Sequence, residues 1–158
     1  MTTLESAGIS VELPNGWEGG VRTRVDPAPV APGVQLASTG HSAATAHMAN
    51  FALPSDRADF GGGAVELMNS NHIFMSLVEF DADSAGTALF ADQGVPQLST
   101  IDFDPYALQR VIHGQCGLQR FFTVAGRPFC LYVVLGREDN RGPLVSQCNA
   151  VLRSLRIT

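Results

Sequence analysis

Residues 113–136, HGQCGLQRFFTVAGRPFCLYVVLG, place two nearly continuous apolar runs on either side of a short turn. Phe121, Phe122 and Val124 stand in the first run, and Phe129, Leu131, Tyr132, Val133, Val134 and Leu135 in the second. Successive side chains of a strand point to opposite sides, so a strand apolar at every position has no face to give to water. Both of its faces must be covered. The segment is therefore expected to be the central hairpin of a sheet with a layer on each side, which puts the chain among layered folds. With VAG as a three-residue loop and Gly126 in the left-handed region, Phe121 would pair with Phe129 and Cys116 would face Val134.

The C-terminal segment PLVSQCNAVLRSLRI supplies one covering layer. Leu144, Val145, Cys148, Val151, Leu152 and Leu155 recur at helical spacing and form one apolar stripe, and Pro143 sits where a helix begins. Upstream, Ile9, Val11 and Leu13 alternate with polar residues as in a half-buried strand. Pro14 and Asn15-Gly16 stop that strand, and EGGVRTRV is expected to return beside it as a hairpin, with Trp17 packed nearby. The proline-rich stretch 26–40 reads as an extended connection or exposed loop. Residues 45–53 suit a strand, with His47, Ala49 and Phe51 on one side, although helix propensity competes there. A second hairpin is expected over 64–80, where AVELM and IFMSLVEF flank the turn NSNH. Short helices are expected at 84–91, capped by Asp83, and from Asp104-Pro105.

At 158 residues the chain fits a single domain, 1–158, able to bury roughly two-thirds of its unfolded surface. The fold class expected is α+β, a mostly antiparallel sheet flanked by helices and ending in the amphipathic C-terminal helix. Fifteen acids against ten bases give a net charge of −5, which disfavours phosphate backbones and anionic membranes as partners. All ten bases are arginine; without lysine there is neither Schiff-base chemistry nor a Walker-type loop. No run of about 18 apolar residues occurs, so no membrane insertion is expected. The N-terminus shows no basic region with an apolar run of the export type, and three widely spaced cysteines suit a reducing compartment. The expected location is cytoplasmic.

Reactive chemistry has few places to sit. A thiolate at Cys116 or Cys130, activated by His113 with Arg120 or Arg127 nearby, is conceivable, but no nucleophile signature accompanies it and buried cysteine commonly acts as a small hydrophobe. In the expected register the two cysteines lie about 13 Å apart, beyond disulfide reach. His41 and His47 match no zinc spacing, and His72 reads as a solvated turn residue. FGGGAVELM lacks the spacing of a phosphate loop and reads as flexible chain before a strand. Glu79, Asp81 and Asp83 could line a cation or acid/base site, yet a solvated strand exit is the simpler account. No catalytic residue, cofactor or metal is assigned. His113, Arg120, Arg127 and Trp17 form the candidate interaction surface.

The N-terminal VELPNGW, the two-strand FFTVAGRPFCLYVVLG unit and the final LVSQCNAVLRSL helix together resemble the PsbP-like α/β/α sandwich, a fold shared by the extrinsic photosystem subunit, a nuclear Ran-binding import factor and bacterial lipoproteins. The pattern LQRFFT..GR.FCLYVVLG is also similar to a group of actinobacterial proteins. The resemblance implies a non-enzymatic protein that binds proteins or small ligands, and it carries over no site residue. The chain departs from the exported lipoproteins in showing no lipobox. The function expected is a protein-binding or scaffolding module, with a protein partner or homo-oligomer. A small-ligand carrier and a thiol/His enzyme are the alternatives.

Overall fold

Alternating apolar residues place each early strand in a sheet, and two tight turns decide which sheet. The structure is a computed structural model that describes residues 1–25 and 42–158; the stretch expected as a proline-rich loop and His41 lie outside the described residues. Strands β1 (Thr2–Ser6) and β2 (Ile9–Leu13) form an antiparallel hairpin closed by Ala7-Gly8, and β8 (Arg156–Ile157) adds to β2. The larger sheet contains β3 (Glu18–Val25), β4 (Ser42–Ala49), β5 (Ile73–Glu79), β6 (Cys116–Val124) and β7 (Arg127–Leu135) in the order β3-β4-β5-β7-β6, all antiparallel. Helix α1 (Gly142–Ser154) is the one α-helix among the described residues.

The fold is thus α+β and mostly antiparallel, with both faces of the large sheet covered, as the apolar runs require. One face carries Met48, Met75, Leu131 and Val133 and packs against Ile9, Val11 and Leu13 of β2 and the stripe Leu144, Val145, Cys148, Val151 and Leu152 of α1. The opposite face carries Ala49, Phe74, Tyr132 and Val134 and is covered by Phe51, Ala64, Val65 and Leu108, which stand in loops and single turns. A helical layer is therefore present on one side only among the described residues.

Several local expectations are corrected. Pro14-Asn15-Gly16-Trp17 is a turn, closed by the Trp17 N–H on the Pro14 carbonyl (3.1 Å), but β2 and β3 enter different sheets and do not pair. Residues 64–80 are not a hairpin: Val65–Leu67 is a single 3₁₀ turn and only Ile73–Glu79 is a strand. Gly61, at φ +89°, explains this, because a Cβ there would stand 2.6 Å from the Phe74 ring; the glycines let the loop lie flat on the sheet. The short helices expected at 84–91 and from Asp104 are 3₁₀ turns at Ala82–Ser84 and Ala88–Phe90 and an irregular turn after Asp104.

The β6–β7 hairpin is present but shifted by one residue and lies off centre. Its loop is Ala125-Gly126, at φ +52° and +73°, closed by Val124 opposite Arg127, so Phe121 pairs with Cys130 and Cys116 with Leu135. The two-residue loop is possible because Arg127, unlike Pro128, has an N–H to close it. Cys116 and Cys130 fall on opposite faces, and all three cysteines are free and buried. β7 is internal and β6 is an edge.

An ion pair joins the two sheets. Arg127, between sheets at the start of β7, donates through Nε and Nη2 to the buried Glu79 carboxylate, both at 2.9 Å, and through Nη1 to the carbonyls of Ala7 (3.0 Å) and Thr158 (3.1 Å). Glu79 also accepts the Ala44 N–H (3.0 Å). Arg127→Met takes the guanidinium from a buried carboxylate and is expected to cost about 3 kcal/mol in urea unfolding, with Glu79→Gln/Arg127→Met recovering part of the loss. Ala125 adopts a left-handed conformation that asparagine tolerates better, so Ala125→Asn should raise stability by about 0.5–1 kcal/mol in the same assay.

Candidate functional site

The outer edge of β6 is closed at its ends and open between them. Within an antiparallel strand, the main-chain groups of alternate residues point to the same side. Gly117 and Thr123 point away from β7: Gly117 exchanges two hydrogen bonds with Asp104 (2.9 and 3.1 Å), while Thr123 donates to the Asp92 carbonyl (2.8 Å) and accepts from Gly94 (3.0 Å). Gln119 and Phe121 share that outward direction. Among the described residues their N–H and C=O groups have no partner.

A cleft of about 580 Å³ lies along this stretch, lined by Leu118, Gln119 and Phe121 of β6 and by Asp102 and Tyr106 through Gln109. Its wall is fixed by short local bonds. Asp102 accepts the Ser99 N–H (2.8 Å) and closes the turn Thr100–Asp102; its carboxylate also meets Arg120 at 2.8 Å. The Asp104 side chain accepts the Tyr106 N–H (2.7 Å), and the Gln109 N–H donates to the buried Tyr132 hydroxyl (2.8 Å). Leu108 packs over Gly117, where a Cβ would stand 2.6 Å from Leu108 Cδ2 and 2.7 Å from the Val133 carbonyl. That glycine lets the 104–109 segment approach the strand. Tyr106 is 81% exposed and Ile101, beside Asp102, is 87% exposed.

The four residues read from the sequence as an interaction surface do not come together. Arg120 borders the cleft through Asp102, and His113 is exposed in the turn before β6. Arg127 is committed to Glu79, and Trp17 packs half-buried against the main core. Tyr106, Leu108 and Gln109 belong to no site expected from the sequence, because Asp104-Pro105 in IDFDPYALQR reads as a helix start and the segment is an irregular turn.

The cysteines offer no activated thiol. Burial pushes the thiols of Cys130 and Cys148 up to about 12 and raises that of Cys116. Among the acids, Asp81 and Asp83 lie at an exposed strand exit, as read, but Glu79 is buried in the ion pair with Arg127. His72 is half-buried, accepts the Asn69 N–H (3.0 Å) and stacks on Phe51 at 4.8 Å.

A polar cluster on the loop-covered face of the sheet also escaped the sequence reading. The alternation in VRTRV puts Arg22 and Arg24 on one face, where they meet Arg57 and Asp59 of the loop. His47, fully buried, donates from Nε2 to the Asp59 carbonyl (2.8 Å) and accepts from Arg57 Nε at Nδ1 (2.7 Å), so both ring nitrogens have protein partners. Burial first, and then the Arg57 and Arg22 charges, lower its pKa to about 4, against the bond to Asp59 and its charge, which raise it. The histidine is neutral and structural.

No family model matches the chain, no curated protein matches it in sequence, and no solved structure matches it in fold. Among the described residues the fold and the cleft define an antiparallel two-sheet α+β protein with one C-terminal helix and a partly open strand edge.

The His47 geometry sets a pH dependence. An unfolded histidine takes a proton near pH 6.5 whereas the folded one resists until about pH 4, so between these values the unfolded state binds more protons. Stability present above pH 6.5 is therefore lost as pH falls toward 4, by up to about 3 kcal/mol. Urea unfolding across that window should show the slope in the wild type and a flatter one in His47→Gln.

Proposed function

We propose that the protein is a non-enzymatic protein-binding module of PsbP-like kinship that works in the cytoplasm and docks partners at the cleft along β6. The observation that carries this reading is the exposure of Tyr106 in the wall of a cleft whose floor is a strand edge, with the exposed Ile101 next in sequence to the lining residue Asp102. Large apolar side chains left in water next to a concave surface mark interaction sites. The buried, protonated thiols support a binding role over a thiol enzyme. Three free cysteines suit a reducing compartment. Support for PsbP-like kinship is the order of elements, from an N-terminal strand pair to the final helix.

The test is site-directed photo-crosslinking in native lysate. A photoreactive phenylalanine analogue at Tyr106 should capture one discrete partner, whereas the same group at Glu12 on the small sheet should not, and Ile101→Ser should reduce capture by roughly tenfold. A protein that stays monomeric by light scattering and gives no position-dependent product would sink the proposal.

A further inference from the structure

We infer that the open stretch of β6 binds an extended segment of a partner polypeptide as an added strand. This rests on the protein-binding reading and names its mode. The main-chain groups of Gln119 and Phe121 face outward into the cleft without partners among the described residues, two residues apart, which is the spacing at which a neighbouring strand presents its own N–H and C=O groups. Main-chain groups at a sheet edge are a template for another chain. The partner's chemistry follows from the alternation of β6: Gln119 and Phe121 stand on the face where Leu108 packs, and Arg120, paired with Asp102, stands on the other, so the side chains of an added strand meet the Phe121 ring on one side and the Asp102–Arg120 pair on the other. An apolar residue alternating with a polar or charged one fits both.

The closed ends say why the occupant is a single peptide and not a second copy of the sheet. Gly117 and Thr123 are already bonded to Asp104 and to Asp92 and Gly94, which leaves about 20 Å of edge between them. The loops that carry these bonds stand where a second full-length β6 would lie. A strand of about five residues fits the gap.

The experiment uses the full chain as bait for phage-displayed random linear heptapeptides. Strand addition predicts that selected peptides alternate apolar and polar residues. Binding should slow hydrogen exchange of the Gln119 and Phe121 amides by roughly tenfold or more, and Gln119→Pro, which removes one outward N–H at an edge position that accepts proline, should weaken binding by about tenfold. Should Gln119→Pro unfold the protein, peptides N-methylated at alternate positions test the same bonds against the wild type, and one alternation should abolish binding while the other leaves it. Peptides that bind without protecting either amide, and whose binding falls in Tyr106→Ala but ignores N-methylation, would overturn strand addition and leave the cleft as a docking surface. A dimer in light scattering that Gln119→Pro dissolves would assign the edge to a second copy and overturn the proposal. Failure to select any peptide, together with no crosslink at Tyr106, would overturn both readings.

Discussion

The pairing of Arg127 with Glu79 holds the architecture to one arrangement. β1 and β2 form a hairpin to which β8 adds only two residues, too little to be stable alone, and its apolar residues must find the large sheet in one orientation. Arg127 supplies that orientation: its planar guanidinium fixes Glu79 of β5 with two donors and reaches the Ala7 turn and the Thr158 carbonyl with a third. Hydrophobic contact between β2 and the large sheet is non-directional, whereas these bonds have set distances and angles. The end of the chain is held where β8 can pair with β2, and α1 is drawn across the sheet between Leu135 and Arg156.

Much of this was legible in the sequence, for a physical reason. Residues 129–135 are apolar at almost every position, and only a strand covered on both faces accommodates that. The stripe of α1 and the alternation of β2 are equally direct, since burial imposes its period on the residues themselves. The turn in the hairpin lies one residue from its expected place because Ala125 is a poor advertisement for a left-handed position, whereas Gly126 alone in that region implies a three-residue loop. Register in a hairpin depends on turn geometry, and one residue moves every partner.

Pairing between distant segments left weaker traces. Nothing local distinguishes β6 as an edge from β6 as a central strand, because the loops at 92–94 and 104–109 cover its two ends and leave those residues as buried as in an internal strand. Likewise, Glu79 looks from its neighbours Asp81 and Asp83 like a member of a solvated acidic exit, and its partners Arg127, 48 positions away, and the Ala44 N–H, 35 positions away, are invisible locally. His47 presents the same case, with its donors and acceptors supplied by the 57–59 loop. The cleft was illegible for the same reason, being built from two stretches joined by contacts distant in sequence: Asp104 with Gly117, Asp102 with Arg120, and Gln109 with Tyr132.

The two edges of the large sheet are guarded differently, and the difference bears on function. β3 carries Arg22 and Arg24, exposed charges that a second strand would have to desolvate. β6 presents Gln119 and the half-buried Phe121 between two loops that occupy its ends. Loops at both ends obstruct pairing with another long strand, the route to aggregation, yet they leave the middle accessible. A protein protected only against aggregation would gain most from a charge or a proline at position 119. Gln119 is neutral and keeps its outward N–H, so the guarding of β6 excludes sheets while still admitting a single strand.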